Sequence, residues 1–135
     1  MKKKFCLVIA NYYPKISNNL IRGSTKTLRI SGYKNIDKVY APGVFEIPFI
    51  IRKLITKYDA FVALGCVIKG QTPHFNFISE SAINGIMQLS IQYKKPIGNG
   101  IITCLNQKQA QIRSNPLKKN KGGEAAKAII SVLKI

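Results

Sequence analysis

His74 is the only histidine in the chain, and it ends a run whose residue types could do chemistry: Gly65-Cys66-Val67-Ile68-Lys69-Gly70-Gln71-Thr72-Pro73-His74-Phe75. An imidazole exchanges protons near neutral pH. The run opens from the strand-like Asp59-Ala60-Phe61-Val62-Ala63-Leu64, and Phe75 to Ile83 has helical spacing. The expected unit is therefore strand, turn and helix. In the turn, Gly70 permits close backbone approach, and Thr72 is placed to cap the helix, whose free N–H groups favour an anion such as phosphate. Proton transfer beside an anion is the chemistry this arrangement suggests.

Other turns carry further candidates. Tyr12 and Tyr13 follow an apolar run from Phe5 to Ala10, and Phe45 and Glu46 follow a short strand from Asp37 to Tyr40. Each also has a structural reading: Tyr12 as a half-buried ring, Glu46 as a first-turn carboxylate favoured by the helix dipole, Arg113 as a surface cation.

The elements that must position these groups alternate between strand and helix four times, without repeats or a low-complexity linker, which implies an α/β architecture. Helices are expected near 16–30, over 45–58 with Phe45, Phe49, Ile50 and Leu54 on one face, from Phe75 onward, near 107–114 and from about 121 to 133. The fourth strand is Ile97 to Cys104, after the break at Lys95-Pro96. Parallel strands joined by crossovers of one hand gather their following turns along one sheet edge, where α/β proteins bind ligands. The candidates thus converge on one rim.

At 135 residues the chain suits a single domain, 1–135, with a core of its own. Lys and Arg number 22 against five Asp and Glu, a net charge of +17. The lysines form no obvious stripe in the sequence, and there is neither a zinc-finger pattern nor an RNA-recognition motif, so nucleic-acid binding is expected at most as a nonspecific property. Cys6, Cys66 and Cys104 are odd in number and widely spaced, which fits buried thiols in a reducing cytoplasm and no disulfide framework. One histidine and no C-x-x-C pair give a zinc site little support. The apolar run after Lys2-Lys3-Lys4 is short for an export signal, and no run is long enough to span a bilayer.

In order, Ala41-Pro42-Gly43-Val44-Phe45-Glu46-Ile47-Pro48, the run from Gly65 to Phe75, Gln109-Ala110-Gln111-Ile112-Arg113 and Asn120-Lys121-Gly122-Gly123-Glu124-Ala125-Ala126 closely resemble the lumazine synthase family over nearly the whole chain. The resemblance implies a flavodoxin-like three-layer α/β/α sandwich on a four-stranded parallel sheet. It implies a cofactor-free condensation of 5-amino-6-(D-ribitylamino)uracil with 3,4-dihydroxy-2-butanone 4-phosphate, giving 6,7-dimethyl-8-ribityllumazine, phosphate and water. His74 matches the proton-transfer histidine and Arg113 the phosphate-binding arginine, with Gln71 and Thr72 in the phosphate loop. Tyr12 matches the aromatic residue that stacks on the pyrimidine, and Phe45 and Glu46 fall where the ribityl chain binds. Val67, Ile68 and Asn99 occupy other substrate-binding positions. Lys121 matches a lysine near the ligands, with Glu124 placed to pair with it.

Three residues depart from the family's common pattern: Tyr13 in place of asparagine, Lys69 of arginine and Asn99 of phenylalanine. The family's homopentamers share active sites between neighbours, and some assemble into larger shells; the charge here favours a free pentamer. The chain starts almost at its first strand, which leaves open the pairing that many members make through an N-terminal extension. Two other readings remain: a noncatalytic lumazine- or flavin-binding protein of the same fold, and a basic nucleic-acid-binding domain.

Overall fold

The computed structural model describes residues 2–71 and 74–135. Four strands, β1 (Phe5–Ala10), β2 (Ile36–Ala41), β3 (Ala60–Ile68) and β4 (Ile97–Cys104), form a parallel sheet in the order β2-β1-β3-β4. Helices α1 (Pro14–Ile30), α4 (Gln107–Ser114) and α5 (Lys121–Leu133) cover one face. Helices α2 (Ile47–Lys53) and α3 (Phe75–Tyr93) cover the other. This is the expected three-layer α/β/α arrangement.

Every residue of β1 and β3 is buried, because a central parallel strand has helices on both faces. Alternate residues divide between two cores. Phe5, Leu7, Leu64 and Ile68 pack with Leu20 and Ile129, while Val8, Phe61, Ala63 and Val67 pack with Ile47, Ile51 and Ile86. Among the described residues, no helix is long and apolar enough to cross a membrane.

Two expectations change. The segment 45–58 is not one helix: a 3-10 turn, Val44–Glu46, leads into α2, which ends at Lys53. Past that point Lys95 Nζ donates to the carbonyls of Ile55 and Tyr58, at 2.6 and 2.7 Å, so a side chain replaces helical partners. The buried stripe is Val44, Ile47, Ile51 and Ile55, whereas Phe45 and Phe49 are exposed, at 57% and 70%. Rotating the segment by that much frees Phe45 for another use. Strand β3 also runs four residues beyond Leu64, the end of the apolar run read as strand.

The α1–α5 contact has a specific local cause. A Cβ on Gly122 would lie 2.2 Å from the Leu20 carbonyl oxygen, so only glycine lets the start of α5 touch the α1 backbone. Ser24 Oγ donates to the Gly122 carbonyl at 2.8 Å, and Asn120 Oδ1 accepts from the Gly123 N–H at 3.2 Å. These bonds fix where Lys121 leaves the helix.

Candidate functional site

The tips of the first three strands form one cleft. Tyr12 lies past β1, exposed and packed edge-on against Tyr13 with ring centroids 4.8 Å apart. The Tyr13 hydroxyl donates to Gln71 Oε1 at 3.3 Å, tying the turn after β1 to the turn after β3. A cavity of about 330 Å³ opens here, lined by Tyr12, Phe45, Glu46, Val67 and Ile78 among others. It has two exposed aromatic rings, one carboxylate and an apolar floor, which suit a flat polar ligand with hydroxyl groups.

His74 stands at the N-terminus of α3, exposed, in the left-handed region at φ 61°, ψ 39°. Such a conformation costs a non-glycine residue about 1–2 kcal/mol, and strain of this kind concentrates at functional sites. Gly70 also has positive φ, 81°, and a Cβ there would meet nothing within 4 Å. Its requirement is therefore the turn conformation; the close backbone approach read from sequence is not what demands glycine. Thr72 lies outside the described residues, and the cap position of α3 is held by His74 without a side-chain cap bond. Ile68 is fully buried on the face opposite Val67; it meets the turn through its carbonyl, which accepts from the Gln71 N–H at 3.2 Å.

The remaining candidates gather elsewhere. Arg113 on α4 donates through Nη1 to the Thr103 carbonyl at the end of β4, at 2.7 Å. Beside it a second cleft of about 420 Å³ is lined by Gln109, Ile112, Arg113, Lys119 and Lys121. Lys121 Nζ pairs with Glu124 at 3.3 Å, as its spacing leads one to expect. Arg113, Lys119 and Lys121 thus put positive charge round one opening, a setting that attracts anions. Asn99 is exposed on β4, and its Oδ1 accepts from the Ile101 N–H at 3.1 Å, so this polar residue closes part of the strand's own edge.

Behind Arg113 sit two buried thiols. Strand register places Cys66 opposite Ile102, and both Cys66 and Cys104 face the α4–α5 core. The Cys104 thiol is lowered to about 7, first by a hydrogen bond from Cys66 and also by the Arg113 guanidinium, against burial. Cys66 is correspondingly raised by its bond to Cys104 and by burial.

Comparison with known proteins bears on what these two clefts belong to. A family model described as 6,7-dimethyl-8-ribityllumazine synthase matches residues 2–135. The chain belongs to the lumazine synthase family. A 6,7-dimethyl-8-ribityllumazine synthase from Vesicomyosocius okutanii is 41% identical, over 98% of this chain and 84% of the relative. One from Zymomonas mobilis is 40% identical, over 98% and 95%.

In this lumazine synthase fold, then, six of the family-matched residues are divided between two clefts. Tyr12, Phe45, Glu46 and Val67 line the first cleft, and Arg113 and Lys121 line the second. The two clefts share no lining residue. Gln109 and Lys119 were not singled out in the sequence: Gln109 Oε1 accepts from the Leu105 N–H at 2.8 Å, holding the start of α4, and Lys119 adds charge beside Arg113. Gln109 lay within a family-matching segment and Lys119 only close in sequence to Lys121, and neither signal says which way a side chain points.

Proposed function

We propose that the protein condenses 5-amino-6-(D-ribitylamino)uracil with 3,4-dihydroxy-2-butanone 4-phosphate to form 6,7-dimethyl-8-ribityllumazine in riboflavin biosynthesis, at sites completed between neighbouring subunits of a homopentamer. The observation that carries the reading is the division of site residues between two clefts, each chemically incomplete. The first offers aromatic stacking and a carboxylate for the ribityl hydroxyls. The second offers cations for a phosphate.

In this reading Tyr12 stacks on the pyrimidine, Phe45 and Glu46 hold the ribityl chain, and a neighbour's Arg113 and Lys121 bind the phosphate. The 5-amino group adds to the ketone and loses water to give an imine, phosphate is eliminated, and the ribitylamino nitrogen attacks the remaining carbonyl with loss of a second water to close the ring. Most of the acceleration comes from holding two reactants in place. His74 carries protons between intermediates; its exposure at the start of α3, the helix that follows β3, supports that role. Gln71 and Thr72 supply further donors to the phosphate.

An unpartnered apolar face supports the assembly. Phe77, Met87 and Ile91 on α3 are 70%, 58% and 71% exposed, and Phe49 on α2 is 70% exposed, a concentration of apolar surface of the kind that marks a protein interface. The net charge of +17 opposes closer packing of pentamers into a shell. Three free, buried cysteines suit a reducing cytoplasm.

Two measurements test this. Lumazine formation and phosphate release should accelerate together over the uncatalysed mixture; oligomeric, folded protein that accelerates neither would leave a binding role. Co-expressing Glu46→Ala and Arg113→Ala chains should restore activity that neither variant shows alone, because mixed assemblies contain some sites with both residues. Absence of such rescue in verified mixed oligomers would sink the shared site.

A further inference from the structure

The cations of α1 are not scattered over its surface. Lys15, Arg22, Lys26 and Arg29 are all exposed, and at 100° per residue they fall within about 60° of one another round the helix. At 1.5 Å per residue they span about 21 Å along its axis. Helix α1 contains no Asp or Glu. The stripe invisible in the linear order therefore exists in three dimensions.

Its N-terminal half borders a groove of about 700 Å³ between α1, the edge strand β2 and α4, lined by Lys15, Asn18, Arg22, Lys38, Tyr40 and Gln111 among others. No carboxylate lines it. The nearby Asp37 is one residue out of phase on β2 and is occupied by the Tyr58 hydroxyl, which donates at 2.7 Å. Among the described residues the ion pair found is Lys121–Glu124, so Lys15, Arg22 and Lys38 are not neutralised by acidic neighbours. Asn19 links the walls: its Nδ2 donates to Ser114 Oγ at 3.3 Å, and its Oδ1 accepts from Arg22. Tyr40 stands two residues along the strand from Lys38 with its side chain 53% exposed.

We propose that this face of α1 and β2 binds single-stranded nucleic acid, with Lys15, Arg22, Lys26, Arg29 and Lys38 following the phosphodiester backbone and Tyr40 stacking on a base. A linear row of unpaired cations beside an exposed ring is the combination that tracks a single strand without reading its sequence. An acidic protein segment would use the charges but not the ring. None of these residues lines either cleft of the proposed active site, so binding and turnover are separable.

The test is fluorescence anisotropy with a labelled oligothymidylate of about 16 nucleotides, within the range of a single-strand site. It compares the native protein with two charge-matched variants, Arg22→Ala/Lys26→Ala on the stripe and Lys53→Ala/Lys57→Ala beyond it on the α2 side. The stripe variant should bind at least about tenfold more weakly, and its log–log salt slope should flatten by about 1.4, at about 0.7 per lost single-strand contact. The distant variant should stay close to native, and both should retain lumazine formation. Tyr40→Ala should lose at least about fivefold, as stacking predicts. Equal losses in the two double variants would mean diffuse attraction to a basic protein and would overturn the site. An unchanged Tyr40→Ala would overturn the stacked single strand, leaving acidic peptides or plain polyphosphate as ligands.

Discussion

Arg113 is held to β4 by one bond: its Nη1 donates to the Thr103 carbonyl at 2.7 Å. The next carbonyl, that of Cys104, turns inward and accepts from the Lys69 N–H at 2.9 Å, so Thr103 presents its oxygen at the free edge of the sheet. Anchoring one guanidinium nitrogen there holds the rigid fork of Arg113 in the wall of the second cleft, with further N–H donors besides the one bonded.

Arg113→Lys keeps the charge but loses both the anchor and the fork. KM for the butanone phosphate should rise about tenfold to a hundredfold, since hydrogen bonds to charged groups are worth about 1.5–3 kcal/mol. KM for the pyrimidine substrate should change little. Steady-state kinetics with each substrate varied in turn would show this, and equal effects on both would contradict a phosphate role.

His74→Gly separates strain from chemistry. Glycine adopts φ 61° without the cost borne by histidine, so stability should hold or rise by up to about 1 kcal/mol. Turnover should nonetheless fall about a hundredfold, the scale of a lost proton-transfer group. Urea denaturation paired with single-turnover kinetics tests both halves; a variant equally fast would remove His74 from the mechanism.

The buried thiols predict a stability maximum near pH 9. Cys104 is lowered from its ordinary 9.0 to about 7, so its contribution is fully present above 9.0, its unfolded value, and is lost as pH falls through about 7. Cys6 is raised to about 12, chiefly by burial, and Cys66 is raised as well. Their contributions are present below 9.0 and decline as pH rises above it. Urea midpoints should therefore climb from pH 7 to 9 and then fall. Cys104→Ala should abolish the climb, and a flat native profile over that interval would contradict the arrangement.

Gly122→Ala should destabilise the fold by about 1–3 kcal/mol through overpacking, because its Cβ would stand 2.2 Å from the Leu20 carbonyl oxygen and backbone must move. Activity should fall further than stability explains, as Lys121 shifts with the start of α5. An unaltered urea midpoint would show that α1 and α5 are free to separate.

Element types were legible where two signals agreed. The limits of β4, α4 and α5 read from sequence coincide with those observed, with the Lys95-Pro96 break marking the start of β4; the capping of α4 by Asn106 and of α5 by Asn120 is seen only in the structure. The segment after β2 was read with the wrong face inward, since one helical period was assumed from Phe45 onward and the 3-10 turn Val44–Glu46 shifts that phase.

The family, the parallel α/β architecture and the identities of the chemical groups were set by the order of residues alone, because strand and helix periodicities and ordered motifs are local properties of a chain. Three-dimensional packing decided which groups meet. It put Arg113 and Lys121 in a different cleft from Tyr12, Phe45 and Glu46, brought Cys66 beside Cys104 across β3 and β4, and aligned the α1 cations into a stripe. Distances between groups far apart in sequence follow from sheet register and helix rotation. Both are outcomes of burying the whole core at once.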